Sequence, residues 1–348
     1  RFLSQAAGQD HPSGDTRMAM QPPAVARAAF FFFLLTLVGA AYDEQAAVKH
    51  ASISVAAYCG YPHMADNSAL ESWSCGPPCE AVPGMTDVRA VATNNADDSH
   101  AFVGKLNDTC VVAFRGTTKL TGWVTDIAAG YKEDLNASGV ECQFAGKPCY
   151  VGYGWLRNYR DIRSKLLGDL SDIGCSGWPI TVTGHSLGAA MSMLAMLDFK
   201  QHGYQVLPTY TFGQPRVGDE TFSNAFREAF GPDSVMRVTH SDDPVPHVPP
   251  QWLGFQHIAT EVFYAGAVHE GYRVCDGTGE DPSCSDQFWL APALARCLKN
   301  QLFSNDCDHL TYMTGALPFR MDGESCTMPQ PAAGPGKRSG SASSTAYV

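Results

Sequence analysis

The sequence predicts an α/β fold in which helices cover both faces of a mostly parallel sheet. Short apolar runs rich in β-branched residues, such as residues 110–116 and 179–184, end abruptly at glycine. Continuous apolar strands are typical of a sheet that is buried on both faces and is therefore mostly parallel. Helical patterns alternate with these strands along the chain, an order that is typical of α/β proteins.

The individual elements can be assigned from the same patterns. Strands are predicted over residues 110–116, 179–184, 209–213 and 234–240. Helices are predicted over residues 154–170, 187–201 and 219–230. The second strand runs directly into the second helix, so the residues at that junction stand at the carboxyl edge of the sheet, where α/β proteins bind ligands.

Composition and charge exclude several classes of protein. The chain has 348 residues, of which 45% are hydrophobic and 17% are charged, and this excludes an intrinsically disordered chain. Lys and Arg number 24 against 35 Asp and Glu, which gives a formal net charge of -11. Because an acidic surface repels polyanions, we exclude nucleic acids and anionic membranes as partners.

The N-terminal region has the layout of a secretory signal peptide, predicted over residues 18–41. Arg27 precedes the apolar run 28–38, and small residues at 39–41 offer a cleavage site. The run is too short to cross a bilayer, which takes about 20 residues, so we expect secretion without a stable membrane span. Residues 1–17 form an upstream segment that is not expected to be structural. One domain is predicted over residues 42–328, followed by a disordered Pro/Gly/Ser-rich tail, 329–348.

Twelve cysteines behind a secretion signal predict disulfide bonds. Paired CxxC motifs with zinc spacing do not occur, so no metal site is expected. Two sequons make Asn107 and Asn136 candidates for glycosylation.

The motif Gly184-x-Ser186-x-Gly188 lies where the strand 179–184 meets the helix 187–201. In that context a sharp turn exposes a nucleophilic serine, and the glycines let the strand and helix backbones approach each other. The helix N-terminus behind Ser186 presents unpaired N–H groups that favour an oxyanion. We therefore predict that Ser186 is a catalytic nucleophile.

A serine nucleophile needs a histidine base that is oriented by a carboxylate. In this fold type the acid and then the histidine follow the serine along the chain. Asp242 and Asp243 follow the strand 234–240 and are candidates for the acid. Spacing favours His309 as the base but leaves His257 and His269 open.

With these residues assembled, the chain resembles the class 3 lipases, a family of secreted fungal triacylglycerol lipases and feruloyl esterases that have the α/β-hydrolase fold. Six collinear blocks carry the resemblance: VVAFRGTT, TGHSLGAA, TFGQPRVGD, DDPVPHVPP, GFQH and DHLTYM. The resemblance implies the triad Ser186, Asp243 and His309. It also implies an oxyanion hole formed by Thr117 and the backbone N–H of Leu187. One departure is Gly152, which stands where the family usually has histidine in Val-His-x-Gly-Phe.

The resemblance also implies three disulfides, Cys59–Cys326, Cys75–Cys79 and Cys275–Cys284. Of the other six cysteines, short loops favour Cys142–Cys149 and Cys297–Cys307, which leaves Cys110 with Cys175.

A lid is implied directly after the oxyanion loop. There, one face of a helical pattern carries Leu120, Trp123, Val124 and Ile127 at positions i, i+3, i+4 and i+7. In the family such a lid covers the acyl pocket in water and opens against lipid.

The resemblance and the residues together predict a secreted, monomeric serine ester hydrolase that cleaves acylglycerols at a lipid–water interface without a cofactor. A feruloyl or other small-ester esterase, or a phospholipase, is the alternative on the same scaffold. A non-catalytic binding protein with this fold is the remote alternative.

Overall fold

The structure, a computed structural model, describes residues 42–60, 66–93, 99–117, 130–258, 260–288, 292–293, 295, 297, 307–318 and 320–327. These residues belong to one compact unit, Gly39–Val348. The predicted signal peptide, the predicted C-terminal tail and the four predicted lid residues Leu120, Trp123, Val124 and Ile127 lie outside the described residues.

Thirteen strands are described. They are β1 (Met85–Ala92), β2 (His100–Leu106), β3 (Thr109–Phe114), β4 (Lys132–Asp134), β5 (Gln143–Phe144), β6 (Lys147–Pro148), β7 (Tyr150–Gly152), β8 (Pro179–His185), β9 (Gln205–Val206), β10 (Thr209–Phe212), β11 (Val235–His240), β12 (Glu261–Tyr264) and β13 (Arg273–Val274). Nine of them form one sheet in the order β1-β2-β3-β8-β10-β11-β12-β13, with β9 paired to β8. β4 pairs with β7 and β5 pairs with β6.

The centre of the large sheet is parallel, as predicted. β3, β8, β10, β11 and β12 run parallel to one another, whereas the pairs β1–β2, β2–β3 and β12–β13 are antiparallel. β1 was not predicted, because Thr86, Asp87 and Arg89 interrupt its apolar run where the register shifts. Polar residues at a bulge hide the period-2 alternation on which strand prediction depends.

The described helices are α1 (Glu44–Ala56), α2 (Ser68–Glu71), α3 (Pro77–Glu80), α4 (Tyr153–Asp172), α5 (Leu187–Gln201) and α6 (Glu220–Phe230). Short 3-10 helices cover Leu135–Ser138, Val245–His247, Gln251–Leu253, Val268–Glu270, Ser285–Gln287 and Asp308–Leu310. Aspartates begin two of the α-helices: Asp43 accepts from the N–H groups of Gln45 and Ala46, and Asp219 accepts from that of Phe222. Such N-caps satisfy donors that have no partner within the helix. Among the described residues, no helix is long and apolar enough to cross a membrane.

Helices lie on both faces of the sheet because its strands are apolar on both sides. In β3, Val112 and Phe114 pack into the cluster that contains α4, α5 and α6. The alternate residues Val111 and Ala113 pack into a cluster with Ile53 of α1. The large sheet is therefore the middle layer of three, and the carboxyl ends of β8 and β11 meet at one edge.

Six disulfides join all the cysteines. They are Cys59–Cys326, Cys75–Cys79, Cys110–Cys175, Cys142–Cys149, Cys275–Cys284 and Cys297–Cys307. These are the pairs that the resemblance, the short loops and elimination predict. Cys59–Cys326 ties the chain just after α1 to the C-terminal part of the described residues.

Candidate active site

Ser186 stands in the turn between β8 and α5. Its backbone has φ 60° and ψ -127°, a conformation that non-glycine residues rarely adopt. The Ser186 N–H donates to the carbonyl oxygen of Phe212, which holds the turn against the end of β10 at 2.9 Å. The turn therefore has the strained strand-to-helix geometry that the motif predicts.

Two glycines allow the close approach that this turn requires. A Cβ on Gly188 would lie 2.1 Å from the carbonyl oxygen of Phe114, and one on Gly184 would lie 2.5 Å from the carbonyl carbon of Gly188. Any side chain would separate α5 from the ends of β3 and β8. The spacing of the motif is thus explained by backbone packing around Ser186.

The loop after β3 lies against the same turn. A Cβ on Gly116 would lie 2.9 Å from the Cβ of Ser186, and Thr117 follows as a half-buried residue. Leu187 is the first residue of α5, so its N–H has no acceptor within the helix. The structure thus places the two predicted oxyanion donors on segments that flank Ser186.

Asp243 and His309 are bonded to each other. Nδ1 of His309 lies 2.8 Å from Oδ2 and 3.0 Å from Oδ1 of Asp243, and both side chains are only 1% exposed. Oδ1 also accepts from the N–H of Val245 at 2.8 Å, and Oδ2 accepts from the hydroxyl of Tyr312. These donors hold the carboxylate in one orientation, and the carboxylate in turn orients the imidazole.

Electrostatics keep this carboxyl ionised despite its burial. Burial acts to raise the pKa of Asp243, but the charge of His309 and the hydrogen bonds from His309, Tyr312 and Val245 outweigh it and hold the pKa below its ordinary value. An ionised Asp243 carboxylate accepts hydrogen bonds but cannot donate one. Nδ1 of His309 is therefore the protonated nitrogen of the neutral ring, which leaves Nε2 as the basic atom.

The reactive atoms of Ser186 and His309 are both buried. Ser186 Oγ and His309 Nε2 make no hydrogen bond within the described part of the chain, to each other or to another group. Gly213 brings the two residues together: it follows Phe212, which binds the Ser186 N–H, and a Cβ on it would lie 2.9 Å from the His309 ring. In substrate-free enzymes the hydrogen bond between nucleophile and base is often long or poorly aligned, and it tightens only when substrate binds.

The other acid and base candidates, Asp242, His257 and His269, do not form such a pair. Asp242 is half-buried, and its N–H donates to Asp308 at 3.4 Å. His257 bonds the carbonyl oxygen of Pro246 through Nε2 at 2.8 Å, and His269 is exposed. Among the candidate pairs, only Asp243 and His309 are brought together.

Three residues of the site were not singled out from the sequence. Tyr312 binds Asp243, His185 binds the His309 carbonyl oxygen at 2.8 Å, and Tyr58 binds His185 at 2.8 Å. Tyr312 and His185 lie within the blocks DHLTYM and TGHSLGAA, so proximity to His309 and Ser186 was an available signal. Tyr58 is 127 residues away from His185, and no local pattern points to it.

Gly152, the departure from the family pattern, precedes α4. A Cβ on Gly152 would lie 2.0 Å from Cζ2 of Trp155, whose ring fills the space that a side chain would need. Trp155 is buried, and its Nε1–H donates to the carbonyl oxygen of Val217 at 2.9 Å. The glycine is therefore matched to the tryptophan three residues later.

The two sequons differ in their surroundings. Asn107 is exposed in the turn between β2 and β3. The Asn136 amide binds Asp134 Oδ1 and the carbonyl oxygen of Cys142, and its Oδ1 accepts from the Cys142 N–H at 2.9 Å. A glycan on Asn136 would replace one of those amide hydrogens.

Within the described residues, one group of three potential metal ligands has its ligand atoms within reach of one another: Cys275, Asp281 and Cys284. The two sulfurs are joined in a disulfide, so they do not offer thiolates to a metal. The site around Ser186 contains no such group among these residues.

Comparison with known proteins agrees with this geometry. Residues 111–252 match the family model of the class 3 lipases. A secreted mono- and diacylglycerol lipase of Fusarium solani is 29% identical over 236 residues, which cover 64% of this chain and 66% of that protein. A lipase of Rhizomucor miehei is 28% identical over 249 residues, which cover 69% of this chain and 62% of that protein. In both cases the match spans less than two thirds of the relative's length.

The fold is shared as well. The structure of lipase II from Rhizopus niveus superposes with a TM-score of 0.60 at 27% identity, and the match covers 76% of this chain and 92% of that one. The parallel sheet with helices on both faces is the α/β-hydrolase fold. Over residues 111–252 the chain matches the class 3 lipase family model, and in sequence and fold it is similar to secreted fungal lipases.

Proposed function

We propose that the chain is a serine ester hydrolase that cleaves acylglycerols through an acyl-enzyme. One observation carries the proposal: a buried Asp243–His309 pair lies beside Ser186, which stands in a strained turn at the N-terminus of α5. A carboxylate that accepts from Nδ1 in this way orients a histidine so that its second nitrogen can remove a proton from a serine.

The chemistry follows from the placement of these groups. Ser186 Oγ attacks the ester carbonyl carbon while its proton passes to Nε2 of His309. Asp243 stabilises the resulting imidazolium, and Leu187 N–H and Thr117 stabilise the negative charge that develops on the former carbonyl oxygen. His309 then gives its proton to the departing alcohol, and water repeats the two steps on the acyl-enzyme. The mechanism uses no cofactor.

The substrate class is proposed from the relatives. The Fusarium solani protein is named for mono- and diacylglycerols, and the apolar face of the predicted lid favours a lipid substrate. We place the reaction at a lipid–water interface, with the chain acting as a monomer.

Secretion through a cleaved signal peptide at residues 18–41 is part of the proposal. The six disulfides support an oxidising compartment, because such bonds persist outside the cytosol. Asn107 and Asn136 remain the proposed glycosylation sites.

The test compares wild type and Ser186→Ala on p-nitrophenyl butyrate, a long-chain triacylglycerol emulsion and methyl ferulate. We expect hydrolysis of the butyrate and the emulsion, and a loss of at least about 10⁴-fold in kcat for Ser186→Ala. Ser192→Ala is the matched control, because Ser192 is a buried serine on the same helix that bonds the Gly188 carbonyl oxygen at 2.8 Å. We expect this control to retain activity.

Three other outcomes would contradict parts of the proposal. Retained activity in Ser186→Ala would overturn the mechanism. Hydrolysis of methyl ferulate but not of the emulsion would replace the acylglycerol assignment by a feruloyl esterase. No hydrolysis of any ester by wild type would favour the non-catalytic alternative.

A further inference from the structure

His185, the residue before Ser186, is buried and uses both ring nitrogens. Nδ1 lies 2.8 Å from the Tyr58 oxygen, and Nε2 lies 2.8 Å from the His309 carbonyl oxygen. A carbonyl oxygen only accepts, so Nε2 carries the proton, and Nδ1 of the neutral ring accepts from the Tyr58 hydroxyl. The two partners therefore select one tautomer and one ring orientation.

The charge state of His185 is also set by its surroundings. Burial and then the charge of His309 hold the pKa of His185 well below its ordinary value. The two ring centroids are 4.5 Å apart. His185 therefore stays neutral while His309 gains and loses a proton, and it does not compete with His309 as a base.

Tyr58 links His185 to the loop after β3, which carries Gly116 and Thr117. Its oxygen lies against Gly116, because a Cβ on Gly116 would lie 2.2 Å from it. Gly116 precedes Thr117 and lies against Ser186. Burial raises the pKa of Tyr58 far above its ordinary range, so the hydroxyl keeps the proton that it donates to His185.

We propose that Tyr58 and His185 are positioning residues that form a hydrogen-bonded brace between the oxyanion loop and the base. The brace runs from Tyr58, packed against Gly116, through the Tyr58 O–H bond to His185, and from His185 Nε2–H to the His309 carbonyl oxygen. This inference rests on the proposed roles of Ser186 and His309. A displacement of about 1 Å of a catalytic group can reduce a rate by about 10²-fold, so two bonds and a packing contact that hold both sides of the site matter for catalysis.

The first measurement is the kinetics of p-nitrophenyl butyrate hydrolysis by Tyr58→Phe, His185→Leu and His185→Gln. We expect the first two to lower kcat by about 10-fold with KM within about two-fold, because they misplace His309 without removing a substrate contact. The His185→Gln amide keeps a nitrogen donor for the His309 carbonyl oxygen, and we expect it to recover most of kcat.

Tyr159→Phe is the matched control. Tyr159 is also fully buried, and its hydroxyl donates to Asp198 at 2.6 Å, on the α4–α5 contact and outside the triad. We expect a similar loss of stability with kcat at the wild-type level. Equal effects of Tyr58→Phe and Tyr159→Phe on kcat, or equal effects of Leu and Gln at position 185, would overturn the brace.

A second readout does not depend on hydrolysis. The proton on Nδ1 of His309, shared with Asp243, gives a downfield ¹H resonance that is identified by its loss in Asp243→Asn. We expect Tyr58→Phe and His185→Leu to shift or broaden this resonance and Tyr159→Phe to leave it unchanged. An unchanged resonance in the first two variants would contradict the brace even if wild type hydrolysed no ester, so failure of the inference and failure of the proposed function are distinguishable.

Discussion

Tyr312 donates its hydroxyl proton to Oδ2 of Asp243, the oxygen that also lies 2.8 Å from Nδ1 of His309. Burial and the adjacent carboxylate raise the pKa of Tyr312 well above its ordinary value, so the phenol keeps its proton and remains a donor at neutral pH. Asp243 thus orients His309, and Tyr312, three residues after His309, orients Asp243.

Tyr312→Phe tests this relationship. Hydrogen bonds to charged groups contribute about 1.5–3 kcal/mol, and we expect the free energy of unfolding at neutral pH to fall by about that amount. The pKa of folded Asp243 lies below its ordinary value of 3.8, so its stabilisation is complete above about pH 4 and is lost as pH falls through the folded pKa. Without Tyr312 the folded pKa lies closer to 3.8, so less stabilisation is lost on acidification and the loss ends at a higher pH.

The measurements are urea unfolding between about pH 3 and 7 and the kcat/KM of ester hydrolysis, which we expect to fall by about 10-fold. Tyr159→Phe is again the matched control, because it also removes a bond between a buried phenol and a carboxylate. A stability difference from wild type that is the same at every pH would argue against a role in setting the Asp243 pKa.

The local geometry around Ser186 was predictable because short-range patterns encode it. The predicted helix 187–201 coincides with α5, and the strand before it ends one residue later than predicted, at His185. The positive φ of Ser186 stops the strand there, and the glycine pattern already indicated such a turn.

The residues that act with Ser186 could be predicted less well from local patterns. Spacing alone left His257 and His269 beside His309, because the choice depends on which loop folds back onto Asp243. The Tyr58–His185 bond joins residues 127 positions apart, and neither has a local pattern that reports its partner. Burial and pairing across the chain decide such contacts.

Gly152 and Trp155 make a second prediction, since the family has histidine and phenylalanine at these positions. Gly152→His places a side chain where Cζ2 of Trp155 lies 2.0 Å from the Cβ position, and we expect it to cost at least about 1–3 kcal/mol. Trp155→Phe alone removes one of the two donors to the Val217 carbonyl oxygen, which also accepts from the Gly152 N–H at 3.0 Å. The double variant makes room for the histidine. We expect its loss in the free energy of unfolding to be smaller than the sum of the two single losses by about 1 kcal/mol or more.

A double-mutant cycle measured by urea unfolding checks this coupling. Tyr153→Phe, at an exposed position between the two, is the control and should be close to wild type. Strict additivity of the Gly152 and Trp155 changes would mean that the two positions are independent.

The disulfides make a third prediction, based on the length of chain that each one closes. Cys110–Cys175 closes 65 residues and Cys142–Cys149 closes 7, and both lie in the same core. Restriction of the unfolded chain predicts a loss of about 4 kcal/mol for Cys110→Ala with Cys175→Ala, against about 2 kcal/mol for Cys142→Ala with Cys149→Ala. Urea unfolding of the two double variants at neutral pH gives the comparison. A larger loss for the short loop would show that native contacts, and not loop length, govern these bonds.

His100 predicts a pH dependence of stability that is independent of the site. Burial, followed by the positive charge of Arg115, lowers the pKa of His100 from 6.5 to about 3. Between these values the folded chain keeps His100 neutral while the unfolded chain binds a proton there, so the free energy of unfolding falls as pH decreases below 6.5. One proton corresponds to about 1.4 kcal/mol per pH unit.

We expect His100→Gln to reduce that slope by about 1.4 kcal/mol per pH unit between about pH 4 and 5.5. Ser99→Ala is the control, because it removes the bond from a buried neighbouring hydroxyl to Asn158 and carries no titratable group. It should lower stability by the same amount at every pH. Urea unfolding at several pH values measures both slopes, and an unaltered slope in His100→Gln would show that His100 is not the group whose protonation destabilises the folded chain.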